Sequence, residues 1–195
     1  MKGMTDPTDE PDEDDSLPLR ELHRLTGGGC TDCRTNYSAR EAVFSVALGF
    51  KDAPRCLPCL ATRLGRDRDE LGEQLVEYVH RRECYLRAWR AAEGMDGATE
   101  PASRECGVPE STTLPVAPAP GSPDIAATWD AGDMGCGELV MALRGRMNNL
   151  PAGGVIRVTA TDPAAPEDIP AWCRLTGHTL LAADHPHYTI RRRGN

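Results

Sequence analysis

Apolar side chains recur along this chain in two rhythms, separated by stretches that follow neither. Between residues 38 and 93 the period is helical. Ser38 followed three residues later by Glu41 forms a capping box, and Val43, Val46, Ala47 and Phe50 then return at helical spacing, with Gly49 as the stop signal. Asp67 and Glu70 repeat the signature and open one long helix. Its stripe is Leu71, Leu75 and Val79, extended by Leu86 and Trp89 to an end near Gly94. This region reads as mostly helical, with two cysteine-bearing turns. Beyond residue 125 the rhythm changes. Residues 126–130 form a short strand, and 136–150 a helix with Leu139, Leu143, Met147 and Leu150 on one face. The β-branched run 155–161 predicts a buried strand, and 166–176 a helix with Ile169, Trp172 and Cys173 inward and Gly177 as its stop. Two strands near 178–183 and 187–192 close the chain. The order β-α-β-α-β-β predicts a two-layer α+β unit, in which a four-stranded mixed sheet carries two helices on one face.

The stretches without rhythm divide the chain. Residues 1–18 hold seven acidic side chains, one lysine and three prolines, a composition that cannot offset ordering entropy and predicts a disordered tail. Residues 94–124 hold six prolines and four glycines and read as a linker. The folded candidates are therefore 19–93 and 125–195, each small, and a Pro-rich connection between them predicts separate units.

The chain's net charge is -8, but the tail alone supplies -6, leaving -2 for residues 19–195. A near-neutral body offers no long-range attraction to phosphate backbones or anionic lipid, so no direct nucleic-acid or membrane partner is expected. No apolar run approaches the roughly 18 residues of a membrane span, and the acidic N-terminus does not resemble a secretory signal, so a cytoplasmic protein is expected. In a reducing compartment, eight cysteines point to metal ligands or reactive thiols rather than disulfides.

Four of them form two C-x-x-C pairs, Cys30-Thr-Asp-Cys33 and Cys56-Leu-Pro-Cys59, with 22 residues between. Each pair brings two thiolates to one side of a turn, and together they make a tetrahedral sulfur set suited to structural Zn²⁺. An iron-sulfur centre and metal-free redox cysteines are the alternatives. A closed four-sulfur site keeps no open coordination position, so no catalysis is assigned to it. His80 and Cys84, four apart on one face of the predicted long helix, form a pair that can ligate a metal, but they read rather as a surface residue and a small buried one. Cys106 falls in the linker, and Cys173 beside Trp172 reads as core. Arg191 to Arg193 read as a solvated strand end.

Cys136 stands apart because it follows Asp133-Met-Gly135 and opens an amphipathic helix. Unpaired first-turn amides and the positive helix end stabilise a thiolate there, and glycines on either side keep it open. The alternative is a small residue buried at a helix cap. Residues 125–195 also resemble the TusA (SirA-like) sulfur-carrier family. The resemblance rests on Asp130 to Cys136 as Asp-x-x-Gly-x-Cys, on Ala160-Thr-Asp-Pro163, on Asp168-Ile-Pro-Ala-Trp-Cys173 and on Thr176-Gly-His178. One feature departs from it: the family's Cys-Pro-x-Pro is here Cys136-Gly137-Glu138-Leu139. The resemblance implies that Cys136 accepts sulfane sulfur as a persulfide from a cysteine desulfurase or rhodanese-like donor and relays it to an acceptor protein. Asp162 and Asp168 are read as turn and cap residues, since exchange between thiols needs no paired carboxylates. The rival expectation is a non-enzymatic interaction or regulatory module with a degenerate TusA-like domain. The N-terminal four-cysteine region resembles no recognised family.

Overall fold

The computed structural model describes residues 16–96 and 124–194. Residues 1–15 of the acidic tail, the body of the Pro-rich linker and Cys106 lie outside them. Five helices come first: α1 (Leu17–Leu25), α2 (Ala39–Ala47), α3 (Leu57–Leu64), α4 (Arg68–His80) and α5 (Glu83–Asp96). Then come β1 (Ile125–Gly132), α6 (Cys136–Asn149), β2 (Val155–Ala160), α7 (Ala165–Thr176), β3 (Thr179–Asp184) and β4 (His187–Arg191). The second half is the expected β-α-β-α-β-β order, and the whole is α+β.

The sheet runs β1-β2-β4-β3, with β1 parallel to β2 and the other neighbours antiparallel. A parallel neighbour requires a crossover connection, and α6 supplies it. Alternation along the strands separates the two faces. Trp129, Val158 and Tyr188 line up across three strands and are buried, whereas the adjoining Thr128, Arg157 and Thr189 lie on the open face.

The first half corrects the expected helices in three places. The capping box is present, with the Ser38 hydroxyl accepting from the Glu41 amide and the Glu41 carboxylate from the Ser38 amide. However, α1 begins at Leu17, inside the segment assigned to the acidic tail, and its Pro18 is buried. The turn holding Cys56 and Cys59 is the start of a helix, α3, with Cys56 as its N-cap. The long helix is two helices, broken at Arg81 and Arg82. At the break the Arg82 guanidinium donates to the Tyr78 carbonyl at 3.1 Å, and the Arg82 amide turns to Val79 O. The helical bond from residue 82 back to residue 78 is thereby replaced by a side-chain contact. Leu86 N then donates to Arg82 O, restarting the helix. Buried positions keep their spacing across the break (Leu75, Tyr78, Val79, then Tyr85, Ala88, Trp89), so periodicity alone carries no sign of it. His80 and Cys84 consequently sit on different helices; the exposed His80 ring meets the Trp89 ring edge-on at 5.6 Å.

The two candidate units also touch. Helices α6 and α7 lie between the sheet and the helical body, and one continuous set of buried apolar residues runs from Leu22 and Leu75 through Leu139 and Ile169 to Ile190. Arg82 crosses the seam to Asp168 of α7; the two side chains are 9% and 1% exposed. Arg144 of α6 stacks on the Phe50 ring at 3.2 Å and donates to Leu48 O at 3.5 Å. Burial, with Arg55, Arg63 and Arg193 nearby, pushes this guanidinium down to about 9, which still leaves it charged at neutral pH. The terminal arginines are tethers, not a solvated end. Arg193 donates to Arg63 O at 2.5 Å, and Arg192 to Asn148 O at 3.1 Å.

Removing one member of a buried ion pair strands the other charge in the interior. Arg82→Ala is therefore expected to lower unfolding free energy by about 3 kcal/mol, read from urea titration. The double variant Arg82→Met/Asp168→Leu should recover most of that loss.

Candidate functional site

The four paired cysteines converge. The sulfurs of Cys30, Cys33, Cys56 and Cys59 all lie within 4.8 Å of one another, and Cys33 and Cys56 are 3.7 Å apart. Tetrahedral ligation with metal-sulfur bonds of about 2.3 Å places neighbouring sulfurs about 3.8 Å apart, so the donor set fits a four-coordinate thiophilic ion. The local fold brings them together by hydrogen bonds that do not involve sulfur. Arg34 takes a left-handed conformation (φ 63°), and its amide closes the first turn on Cys30 O at 2.8 Å. Thr31 donates to Pro54 O through both its amide and its hydroxyl, each at 2.9 Å, and Asp32 pairs with Arg55 at 2.6 Å. These contacts bind the first turn to the segment entering the second. There the Glu41 carboxylate accepts from Leu57 N at 2.7 Å, so the residue that caps α2 also anchors the start of α3.

Burial sets the electrostatics of this place. Cys30, Cys56 and Cys59 are buried, and burial pushes the Cys59 thiol well above the usual range, the other cysteines contributing less. Several thiolates cannot share such a pocket unless a positive charge offsets them. The cluster can thus bind a metal ion.

Cys136 is placed by its backbone at the first residue of α6. The chain leaves β1 through Gly132 in the left-handed region (φ 56°), turns on Met134 N to Ala131 O, and extends at Gly135, the N-cap. Gly135 has no side chain to cap the helix. Its carbonyl takes the Glu138 and Leu139 amides at 3.0 and 2.9 Å, while exposed Glu138 stands in the first turn. An uncapped helix start of this kind presents amide donors and positive potential to whatever occupies its first residue.

A model of the family described as sulfurtransferase TusA matches residues 127–193. Sulfur carrier protein TusA of Pseudomonas putida (strain GB-1) is 47% identical over 55 residues, 28% of this chain and 69% of the relative. That of Pseudomonas entomophila (strain L48) is 49% identical over the same shares, and that of Pseudomonas syringae pv. syringae (strain B728a) is 45% identical over 58 residues, 30% and 69%. The chain belongs to the TusA family.

Within the TusA segment most of the characteristic residues form scaffold. Asp130 and Asp162 accept from the Gly132 and Ala164 amides, each at 2.9 Å, as turn residues should. Asp168 was expected to be a cap, but its side chain pairs with Arg82 across the seam. That role needs a partner outside the TusA motif, which spacing within the motif cannot indicate. Cys173 is 2% exposed, and burial pushes its thiol up to about 12, so it is core. The His178 ring stacks obliquely on Trp172 at 5.1 Å, and its Nδ1 accepts the Arg193 amide at 3.1 Å.

Burial, with Arg193, Arg144 and Arg192 around it, pushes His178 down to about 4. The unfolded chain protonates this imidazole near pH 6.5 and the folded chain does not. Its contribution is therefore present above pH 6.5 and lost as pH falls toward 4, about 2.4 kcal/mol of it between pH 7 and pH 4.5 at 1.36 kcal/mol per unit. Urea titrations at pH 7 and 4.5 should show this extra loss in the wild type and not in His178→Gln, which keeps an acceptor for the Arg193 amide.

Proposed function

We propose that this protein is a sulfurtransferase of carrier type, with Cys136 as the thiol that accepts and passes on sulfane sulfur. The observation that carries the reading is the position of Cys136 as first residue of an uncapped helix within a TusA segment. The Cys136 thiolate attacks the outer sulfur of a donor persulfide. A sulfur-sulfur bond forms at Cys136, the donor's sulfur-sulfur bond breaks, and the donor cysteine leaves as thiolate. An acceptor thiolate then repeats the exchange, taking the outer sulfur and restoring the Cys136 thiolate. No net oxidation occurs. The positive end of α6 favours the anionic form at both stages. A cysteine desulfurase or rhodanese-like protein supplies the sulfur, and a protein acceptor receives it, in the cytoplasm. Among the described residues no helix is long and apolar enough to cross a membrane.

We assign the four-cysteine cluster to structural Zn²⁺. Four sulfur donors suit zinc, and the ion would offset the buried thiolates without an open position for substrate. Cys30, Cys33, Cys56 and Cys59 would hold it, joining the α2–α3 segment to the turn before α2.

Two experiments test these assignments. With a cysteine desulfurase and cysteine, intact-mass analysis should show the wild type gaining one sulfur atom and Cys136→Ala none. Equal loading of both overturns the carrier assignment, and no loading from several donors favours an interaction module with a degenerate TusA segment. Metal analysis should find one zinc per chain in the wild type and none in Cys33→Ser, with a loss of folding free energy in the helical body on the order of several kcal/mol. Bound iron with visible absorbance would replace zinc by an iron-sulfur centre.

A further inference from the structure

Arginine is rarely withdrawn from water without a carboxylate, because an uncompensated charge is costly there. Arg55 and Arg82 obey this rule, pairing with Asp32 and Asp168. Four others do not. Among the described residues, Arg63 of α3, Arg144 of α6, and Arg192 and Arg193 after β4 have no carboxylate partner, and all but exposed Arg63 are half-buried.

These four stand together at the seam. Arg144 lies near Arg63 and Arg193, Arg193 lies near Arg63 and Arg192, and the His178 ring has Arg193, Arg144 and Arg192 around it. Two glycines let the arginine stems pass: a Cβ on Gly49 would lie 2.7 Å from Cδ of Arg144, and one on Gly177 would lie 3.5 Å from Cδ of Arg193.

In place of carboxylates the side chains meet helix ends. Arg144 donates to Leu48 O, the C-cap of α2, at 3.5 Å, and Arg193 to Arg63 O in the last turn of α3 at 2.5 Å. Arg192 donates to Asn148 O at 3.1 Å and to Leu150 O, at the end of α6. A helix C-terminus carries roughly -0.5 of an elementary charge, so the three together supply about -1.5. The three half-buried guanidiniums carry about twice that with opposite sign, before Arg63 is counted. Burial and the neighbouring arginines push both Arg144 and Arg193 down, the direction expected where cations crowd without a counter-charge. Charge close to that of a dianion is thus missing. Guanidinium forks match oxyanions in geometry, and because Arg63 is exposed and the other three keep part of their surface in solvent, an ion reaches them without any opening of the fold.

We propose that Arg63, Arg144, Arg192 and Arg193 form an anion site that takes a tetrahedral dianion, sulfate or phosphate, free or as the terminal group of a larger molecule. Arg144 is eight residues along α6 from Cys136, about 12 Å of helix, so this site is separate from the thiol and does not depend on its role. A bound dianion ties α6 and the segment after β4 to α3, across the seam.

The test is a titration of the full chain at neutral pH with sodium sulfate, at ionic strength held constant with sodium chloride, following the histidine imidazole resonances by NMR. His178 should shift with one-site saturation. Arg193→Gln and Arg144→Met should each weaken binding about tenfold, and Arg63→Gln about threefold. Arg66→Gln, whose guanidinium is already paired with Glu70, should leave it unchanged. Inorganic phosphate and a phosphate monoester are titrated alongside: tighter binding of the monoester assigns the site to a phosphorylated molecule, and tighter binding of the inorganic ions to a free oxyanion. A His178 signal that sulfate leaves unmoved, or that drifts without saturation, overturns the proposal. Should Arg144→Met or Arg193→Gln fail to fold, exposed Arg63→Gln still decides, since affinity equal to the wild type in that variant overturns the site.

Discussion

Helices α6 and α7 are buried on two sides, and this double burial organises the molecule. One face of each lies on the sheet, as the inward stripe of Leu139, Leu143 and Met147 dictates. The other meets the helical body through Gly137, Arg144 and Asp168, residues that a helix facing water would have no reason to combine. A buried carboxylate needs a fixed cation, and Gly137 sits where a Cβ would press on another ring. Arg82 is that cation, and Pro18 carries that ring. Both come from the half of the chain that lies outside the TusA match.

The same seam connects the four-cysteine cluster to the TusA segment. The cluster orders the turn before α2 and the start of α3, while Arg55 ties its first turn to the segment that precedes Cys56. Phe50, which receives Arg144, lies in that same connection between α2 and α3. A metal held by the cysteines would therefore stiffen the surface on which α6 rests. Order in α6 is thus linked to order at the cysteine cluster through packed side chains.

Much of this was legible in the sequence, and the remainder was hidden for identifiable reasons. The β-α-β-α-β-β order followed from alternation, helical stripes and glycine stops, because each element buries one face and advertises it. The cysteine cluster followed from ligand spacing. The Ser38–Glu41 box was read correctly, but not the second bond of Glu41 to Leu57, which depends on where another helix begins. The break at Arg82 was invisible because the hydrophobic period continues through it, while the Tyr78 carbonyl takes a side-chain donor in place of the helical amide. The seam was missed because a Pro-rich connection suggested independence. The signals against it were present in the glycine of Cys136-Gly137 and the aspartate of Asp168-Ile-Pro, but each names its partner only in three dimensions.

The central claim is that the helical body and the TusA segment are one cooperative structure. Leu75 tests it directly, since it is fully buried in α4 within the helical body. Leu75→Ala should cost about 2–5 kcal/mol by leaving a cavity. Native-state hydrogen exchange on the full chain should then show amides of α6 and α7 losing protection by the same free energy as those of α4 and α5. Unchanged protection of α6 and α7, with the loss confined to the helical body, would contradict the account.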